Sequence, residues 1–154
     1  MLSVIFACDL SNKNGNNSNN SNSNKNKNDN TSQAPTPNRP ADAQVYIERI
    51  YMAKDDDGQP GEETVLYEPT DHKVHCLIYL NKARKGTEIR FIWKALDVEG
   101  AKNKELTRTD YSTNSFENKV HAHLERQYDW PRGTYRVEVY INGYLDKTID
   151  YTIG

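Results

Sequence analysis

Four histidines, His72, His75, His121 and His123, are the side chains whose type and spacing come nearest to metal chemistry. A neutral imidazole carries one free nitrogen lone pair and is a common ligand for late transition metals. His121 and His123 stand two apart in Lys119–Gln127, where Val120, Ala122 and Leu124 alternate with His121, His123 and Glu125. In a β-strand that spacing sends both rings out of one face, where they can share an ion. His72 and His75 join them if their segment lies on a neighbouring strand. The plainer reading is a pair of histidines on a half-exposed face with no ligand at all.

Other chemistry finds less support. The run Asp55-Asp56-Asp57-Gly58 suggests calcium, but an EF-hand loop needs alternating acidic ligands and a glutamate six residues after its glycine. Ala53 and Thr64 occupy positions where that pattern requires acids. A solvated turn is the better expectation. No Gly-x-Ser-x-Gly elbow and no glycine-rich phosphate loop occurs, so neither an enzyme nor a cofactor is expected. Among ten tyrosines, Tyr140, Tyr144, Tyr79 and Tyr128 are candidates for an exposed aromatic surface that binds a protein or a sugar. Ordinary cross-strand tyrosine pairing is the competing account.

These residues need elements to position them, and the composition divides the chain. Eleven of the twenty residues from Ser11 to Asn30 are asparagine. Such a stretch cannot bury enough surface to offset the entropy of ordering. Thr31–Pro40 adds three prolines, which stiffen it. Residues 9–40 therefore read as a disordered linker with a reach on the order of 30 Å, and residues 41–154 as one folded domain. The net charge is −2 with no block of Lys or Arg on the folded part, so no nucleic-acid footprint is indicated. Only Cys76 lies in the domain, which excludes a disulfide within it. Its place in an apolar alternating run makes it a buried small hydrophobe.

The domain reads as strands throughout. Gln44–Ala53 is rich in β-branched and aromatic residues but changes face midway, as a bulge would make it do. Lys54–Gly61 reads as a loop on composition. Thr64–Tyr67 is short, and Lys73–Leu80 alternates Val74, Cys76, Ile78 and Leu80 against His75, Leu77 and Tyr79. Thr87–Leu96 puts Ile89, Phe91 and Trp93 inward, the pattern of a central strand around a core tryptophan. Asp97–Lys104 is polar and reads as a loop. Glu105–Tyr111 is a weak edge strand carrying Arg108 and Asp110. Gly133 to Gly154 forms a final hairpin. About seven strands with no helical stretch predict an all-β, immunoglobulin-like antiparallel β-sandwich preceded by a disordered tether. For the last hairpin, matching apolar faces predicts a three-residue loop, Ile141-Asn142-Gly143. That register sets Val139 opposite Leu145, Tyr135 opposite Ile149 and Tyr140 opposite Tyr144.

Two resemblances add to this reading. Ile5-Phe6-Ala7-Cys8 resembles a bacterial lipobox, so residues 1–8 resemble the end of a lipoprotein signal segment. The resemblance implies lipidation of Cys8 and anchoring through acyl chains in place of a membrane-spanning helix. Asp56–Gly58, Gly86-Thr87…Trp93 and Trp130-Pro131-x-Gly133-x-Tyr135-x-Val137-x-Val139-Tyr140-x-Asn142-Gly143 resemble a loose group of small immunoglobulin-like domains on bacterial lipoproteins and envelope proteins. Together they imply a lipid-anchored protein of the bacterial cell envelope, on its periplasmic or surface side. Its domain would then be an interaction module, with another envelope protein as the expected partner. A metal-handling role through the histidines and a carbohydrate-binding role through exposed aromatics are the alternatives.

Overall fold

The computed structural model describes residues 33–154. Nine strands build two facing sheets: β1 (Ile47–Asp56), β2 (Gln59–Glu63), β3 (Leu66–Tyr67), β4 (Lys73–Leu80), β5 (Glu88–Val98), β6 (Ala101–Ser112), β7 (Lys119–Glu125), β8 (Gly133–Ile141) and β9 (Tyr144–Ile153). The smaller sheet runs β2-β1-β4-β7 and the larger β3-β9-β8-β5-β6. All pairings are antiparallel except the short β3–β9 contact. No helix occurs among the described residues. The architecture is the immunoglobulin-like sandwich that the strand pattern predicted.

Alternation builds the core. Val74, Cys76, Ile78 and Leu80 leave the smaller sheet on one side, and Ile89, Phe91, Trp93, Val137 and Val139 meet them from the larger. Each such side chain, taken fully out of water, contributes about 1.5–3 kcal/mol. Trp93 is completely buried and packs edge-on to Tyr151, which in turn stacks on Tyr135 at 5.2 Å. The Tyr135 hydroxyl donates to the Pro131 carbonyl at 2.6 Å, closing the corner before β8. Cys76 is a free, fully buried thiol whose pKa burial raises.

Three local expectations were wrong, each for a backbone reason. Lys54–Gly61 is a hairpin and not a loop. β1 continues to Asp56, turns at Asp57 and Gly58 with φ of 51° and 82°, and pairs Asp56 with Gln59. Two consecutive left-handed residues make the two-residue turn whose twist suits paired strands. Asp97–Lys104 is mostly strand as well, since β5 reaches Val98 and β6 begins at Ala101. The first hairpin adds β2, a strand the sequence pattern did not indicate, and the second lengthens two strands that it did.

The last hairpin differs in register. Its loop has two residues, Asn142 and Gly143 with φ of 48° and 86°, between the paired Ile141 and Tyr144. A bulge follows: Tyr140 pairs with Leu145, whereas Val139 pairs with Lys147 and Tyr135 with Tyr151. The extra residue, Asp146, restores an apolar inner face that a loop-length argument alone could not supply. Its buried carboxylate accepts from the Ile47 N–H and from Arg39 Nη1. It thereby ties the start of β1 to β9.

Residues 33–40, the described end of the stretch read as linker, run beside β8 and β9. Asn38 N–H donates to the Leu145 carbonyl at 3.0 Å, and Asn38 Oδ1 accepts from the Leu145 N–H at 2.8 Å. Arg136 Nη1 donates to the Gln33 carbonyl at 3.3 Å.

Candidate metal centre

The outer face of the smaller sheet carries the site. Strand alternation and pairing arrange its side chains in rows across β1, β4 and β7. The upper rows are Arg49–Tyr79–Lys119 and Tyr51–Leu77–His121. Below them lie Ala53–His75–His123 and then Lys73–Glu125, with Asp55 next along β1. Three imidazoles thus meet on two neighbouring strands. One nitrogen from each of His75, His121 and His123 lies within 4.8 Å of the others.

His75 is the pivot and is fully buried. Its Nε2 lies 2.7 Å from Asp55 Oδ1, and its Nδ1 lies 2.8 Å from His121 Nε2. Burial raises the Asp55 pKa, but the His75 bond, the Gly58 N–H at 3.1 Å and Lys73 outweigh it and hold the carboxyl below its ordinary value. An ionised carboxylate can only accept, so Nε2 of His75 carries the proton. In neutral His75 the Nδ1 lone pair then faces His121. A carboxylate that fixes a ligating histidine in this way is a recurrent support of metal sites.

Electrostatics keep the outer two rings neutral. Burial, then the neighbouring imidazoles and Lys119, lower the His121 pKa to about 4. Burial, His75 and Lys73 lower that of His123 against the opposing pull of Glu125 and Asp55. Both rings therefore offer lone pairs at neutral pH with little competition from protons. The donor set is all imidazole, which suits Zn²⁺, Cu²⁺ or Ni²⁺ and not the oxygen-seeking Ca²⁺ or Mg²⁺. Zn–N bonds of about 2.0–2.1 Å at tetrahedral angles separate ligand nitrogens by about 3.3 Å. The 2.8 Å contact would open slightly to admit an ion. Three ligands leave a tetrahedral ion one position for a further ligand.

Beside the cluster, Tyr51 and Tyr79 stack with ring centroids 6.2 Å apart. Arg49 lies 4.5 Å over Tyr51 and Lys119 lies 5.5 Å over Tyr79.

The structure brings together three of the four candidate histidines. His72 stands apart, its Nε2 3.1 Å from Asp129 Oδ1 in an exposed pair. The candidate tyrosines do not form one surface. Tyr140 sits opposite Leu145 and Tyr144 opposite Ile141, so they leave opposite faces and are not the outer pair that the three-residue loop implied. Tyr140 donates to Glu138 at 3.1 Å. Tyr79 belongs to the other sheet, and Tyr128 is exposed before β8. Cys8, the candidate lipidation site, lies outside the described residues.

Sequence reasoning missed Asp55. It stands in a stretch that reads as a loop on composition, whereas β1 carries it into the row next to His75. The Asp57-Gly58 dipeptide was the available signal, since Asp-Gly is a preferred hairpin turn.

The sequence matches no known protein-family profile and no curated protein. Among solved structures it is similar to an immunoglobulin-like protein from Pseudomonas aeruginosa, with a TM-score of 0.52 and 13% identity over 75% of this chain and all of that one. A weaker likeness, TM-score 0.43 and 10% identity, joins 72% of this chain to 30% of a Pseudomonas fluorescens alkylpurine DNA glycosylase, AlkC, bound to DNA containing an abasic site analog. The chain has an immunoglobulin-like β-sandwich fold.

Proposed function

We propose that this protein is a tethered immunoglobulin-like domain that binds a late transition-metal ion through His75, His121 and His123. The observation that carries the reading is the convergence of three imidazole nitrogens within 4.8 Å. The Asp55 carboxylate behind His75 supports it. The role proposed is binding. Binding of an envelope protein partner remains compatible with this role, since the metal occupies part of one sheet face. A sugar platform is less favoured, because the candidate tyrosines are dispersed over separate faces and loops.

The anchor belongs to the same proposal and rests on Ile5-Phe6-Ala7-Cys8. Lipid on Cys8 would hold the domain at the bacterial envelope membrane. Cys8→Ser should then move the protein from the membrane to the soluble fraction of expressing cells, and retention in the membrane counts against lipidation.

The metal reading is tested on the full chain carrying Cys8→Ser. Isothermal titration with Zn²⁺, Cu²⁺ and Ni²⁺ should give saturable uptake and a raised thermal midpoint. His75→Gln should lower the affinity at least roughly a hundredfold. Absence of uptake for all three ions would dispose of the site.

A further inference from the structure

β7 is an edge strand, and among the described residues it pairs only with β4. The other edges are protected. β2 is short and contains Pro60, β3 has two residues, and β6 bears Lys102, Lys104, Glu105, Arg108 and Asp110. Charge, proline and shortness are the usual devices that keep a sheet edge from pairing with another chain. β7, Lys119–Glu125, has seven residues, no proline, and a charge only at each end.

Its free backbone is defined by the pairing with β4. Leu80 N–H donates to the Asn118 carbonyl at 2.7 Å, and Arg126 N–H donates to the His72 carbonyl at 2.9 Å. In an antiparallel pair such bonding alternates along the strand. Even-numbered positions of β7 therefore bond to β4. The N–H and C=O groups of Lys119, His121, His123 and Glu125 point to the open side.

The sequence Lys-Val-His-Ala-His-Leu-Glu is complementary to itself when reversed about Ala122. Laid antiparallel on a second copy, Lys119 faces Glu125, Val120 faces Leu124, His121 faces His123 and Ala122 faces Ala122. Opposite charges meet at both ends, and apolar residues meet on the inner face. The histidines meet on the outer face, in positions where both backbones bond. Directly opposed residues in such positions have Cα atoms about 5.5 Å apart. One row then runs His75, His123, His121 of the second copy across three adjacent strands.

We infer that β7 is a self-association edge at which two copies pair antiparallel about Ala122, and that His121 of each copy stands in the row of the other's His75 and His123, so that the six imidazoles of the dimer hold two metal ions shared across the seam. The pairing stands on the edge itself. The shared ion rests on the three-histidine reading above. A two-fold axis through Ala122 closes the assembly as a dimer, because each copy uses its only unprotected described edge. Metal then strengthens the pairing, since ions held more tightly by the dimer than by the single chain stabilise it by mass action.

Sedimentation velocity of the full chain carrying Cys8→Ser, with and without equimolar Zn²⁺, separates the two parts. The expected result is a dimer with Zn²⁺ that weakens on adding a chelator. Lys119→Glu sets like charges across both end rows and should raise the dimer dissociation constant roughly tenfold. The double change Lys119→Glu with Glu125→Lys should restore it, and neither touches a histidine. A chain that takes up Zn²⁺ by calorimetry yet stays monomeric at millimolar concentration overturns the edge pairing and leaves the three-histidine site intact. A dimer that takes up no metal overturns the site and leaves the pairing. A dimer indifferent to Lys119→Glu uses another surface and overturns the proposal.

Discussion

The outer faces of the two sheets solve the same problem in opposite ways. On the larger sheet, charges are matched within the face. Arg136 grips Asp150 through two bonds of 2.6 and 2.8 Å, Lys94 reaches Glu138 at 2.7 Å, and Tyr140 donates to the same Glu138. On the smaller sheet, three imidazoles crowd together with one carboxylate behind them. Burial first, and then the crowding of like rings, makes a protonated ring costly there and lowers the pKa values of His121 and His123. A face that needs nothing further is neutralised internally. A face that gathers neutral donors of one kind is suited to a cation from outside.

That contrast can be broken from either side. Among changes that leave the three histidines in place, the largest effect is expected at Asp55. Asp55→Asn removes the negative charge that holds the His75 proton on Nε2 and lets the amide present an N–H in its place, which frees the ring to turn its own N–H toward the ion. Loss of such a supporting carboxylate costs about 10–100-fold in metal affinity. Titration calorimetry with Zn²⁺ checks it, and unchanged affinity would mean that Asp55 does not position His75. The converse change belongs on the larger sheet. Glu138 is buried, so Glu138→Gln leaves the Lys94 ammonium poorly matched and should cost about 1–2 kcal/mol of stability in urea unfolding. The half-solvated Lys94 keeps the figure at the low end. Zn²⁺ affinity should not change, and a parallel loss would show that the two faces are coupled.

The central strands of both sheets were the legible part. Ile89, Phe91 and Trp93 alternate without interruption, and a period of two names the inner face directly. Val74 to Leu80 did the same for β4. Exposed hairpins were harder to see, because residues such as Asp55 and Lys102 lack the apolar member of each alternating pair. Composition then argues for a loop where the backbone is in fact paired. The bulge at Asp146 was not readable at all. It serves bonds to Ile47 and Arg39, which lie about a hundred residues away in the chain. For the site, His121 and His123 followed from their spacing. The assignment of His75 over His72 needed the β4–β7 register, and Asp55 needed the full length of β1.

The smallest expected effect is a pH dependence confined to the histidine face. The His121 pKa falls from 6.5 to about 4 on folding, and that of His123 moves the same way. Between those two pH values the unfolded chain binds protons that the folded chain refuses. Stability must then be full above pH 6.5, fall as the pH drops toward 4, and level off below. Both rings are partly solvated and screened, so the change should stay under about 1 kcal/mol. Asp55 acts in a separate window, because its depressed folded pKa withdraws stability only as the pH passes below its ordinary value of 3.8. On the other sheet the Asp150 carboxylate raises the Arg136 pKa above its ordinary value, so that guanidinium stays charged across the whole range. Urea midpoints at pH 7.5, 6 and 5 should fall for the parent chain, and His121→Gln should flatten the slope. Saturating Zn²⁺ should steepen it, because the ion is held only by deprotonated rings. A slope that Zn²⁺ leaves unaltered would place the titration elsewhere and return the three histidines to the status of an ordinary half-exposed face.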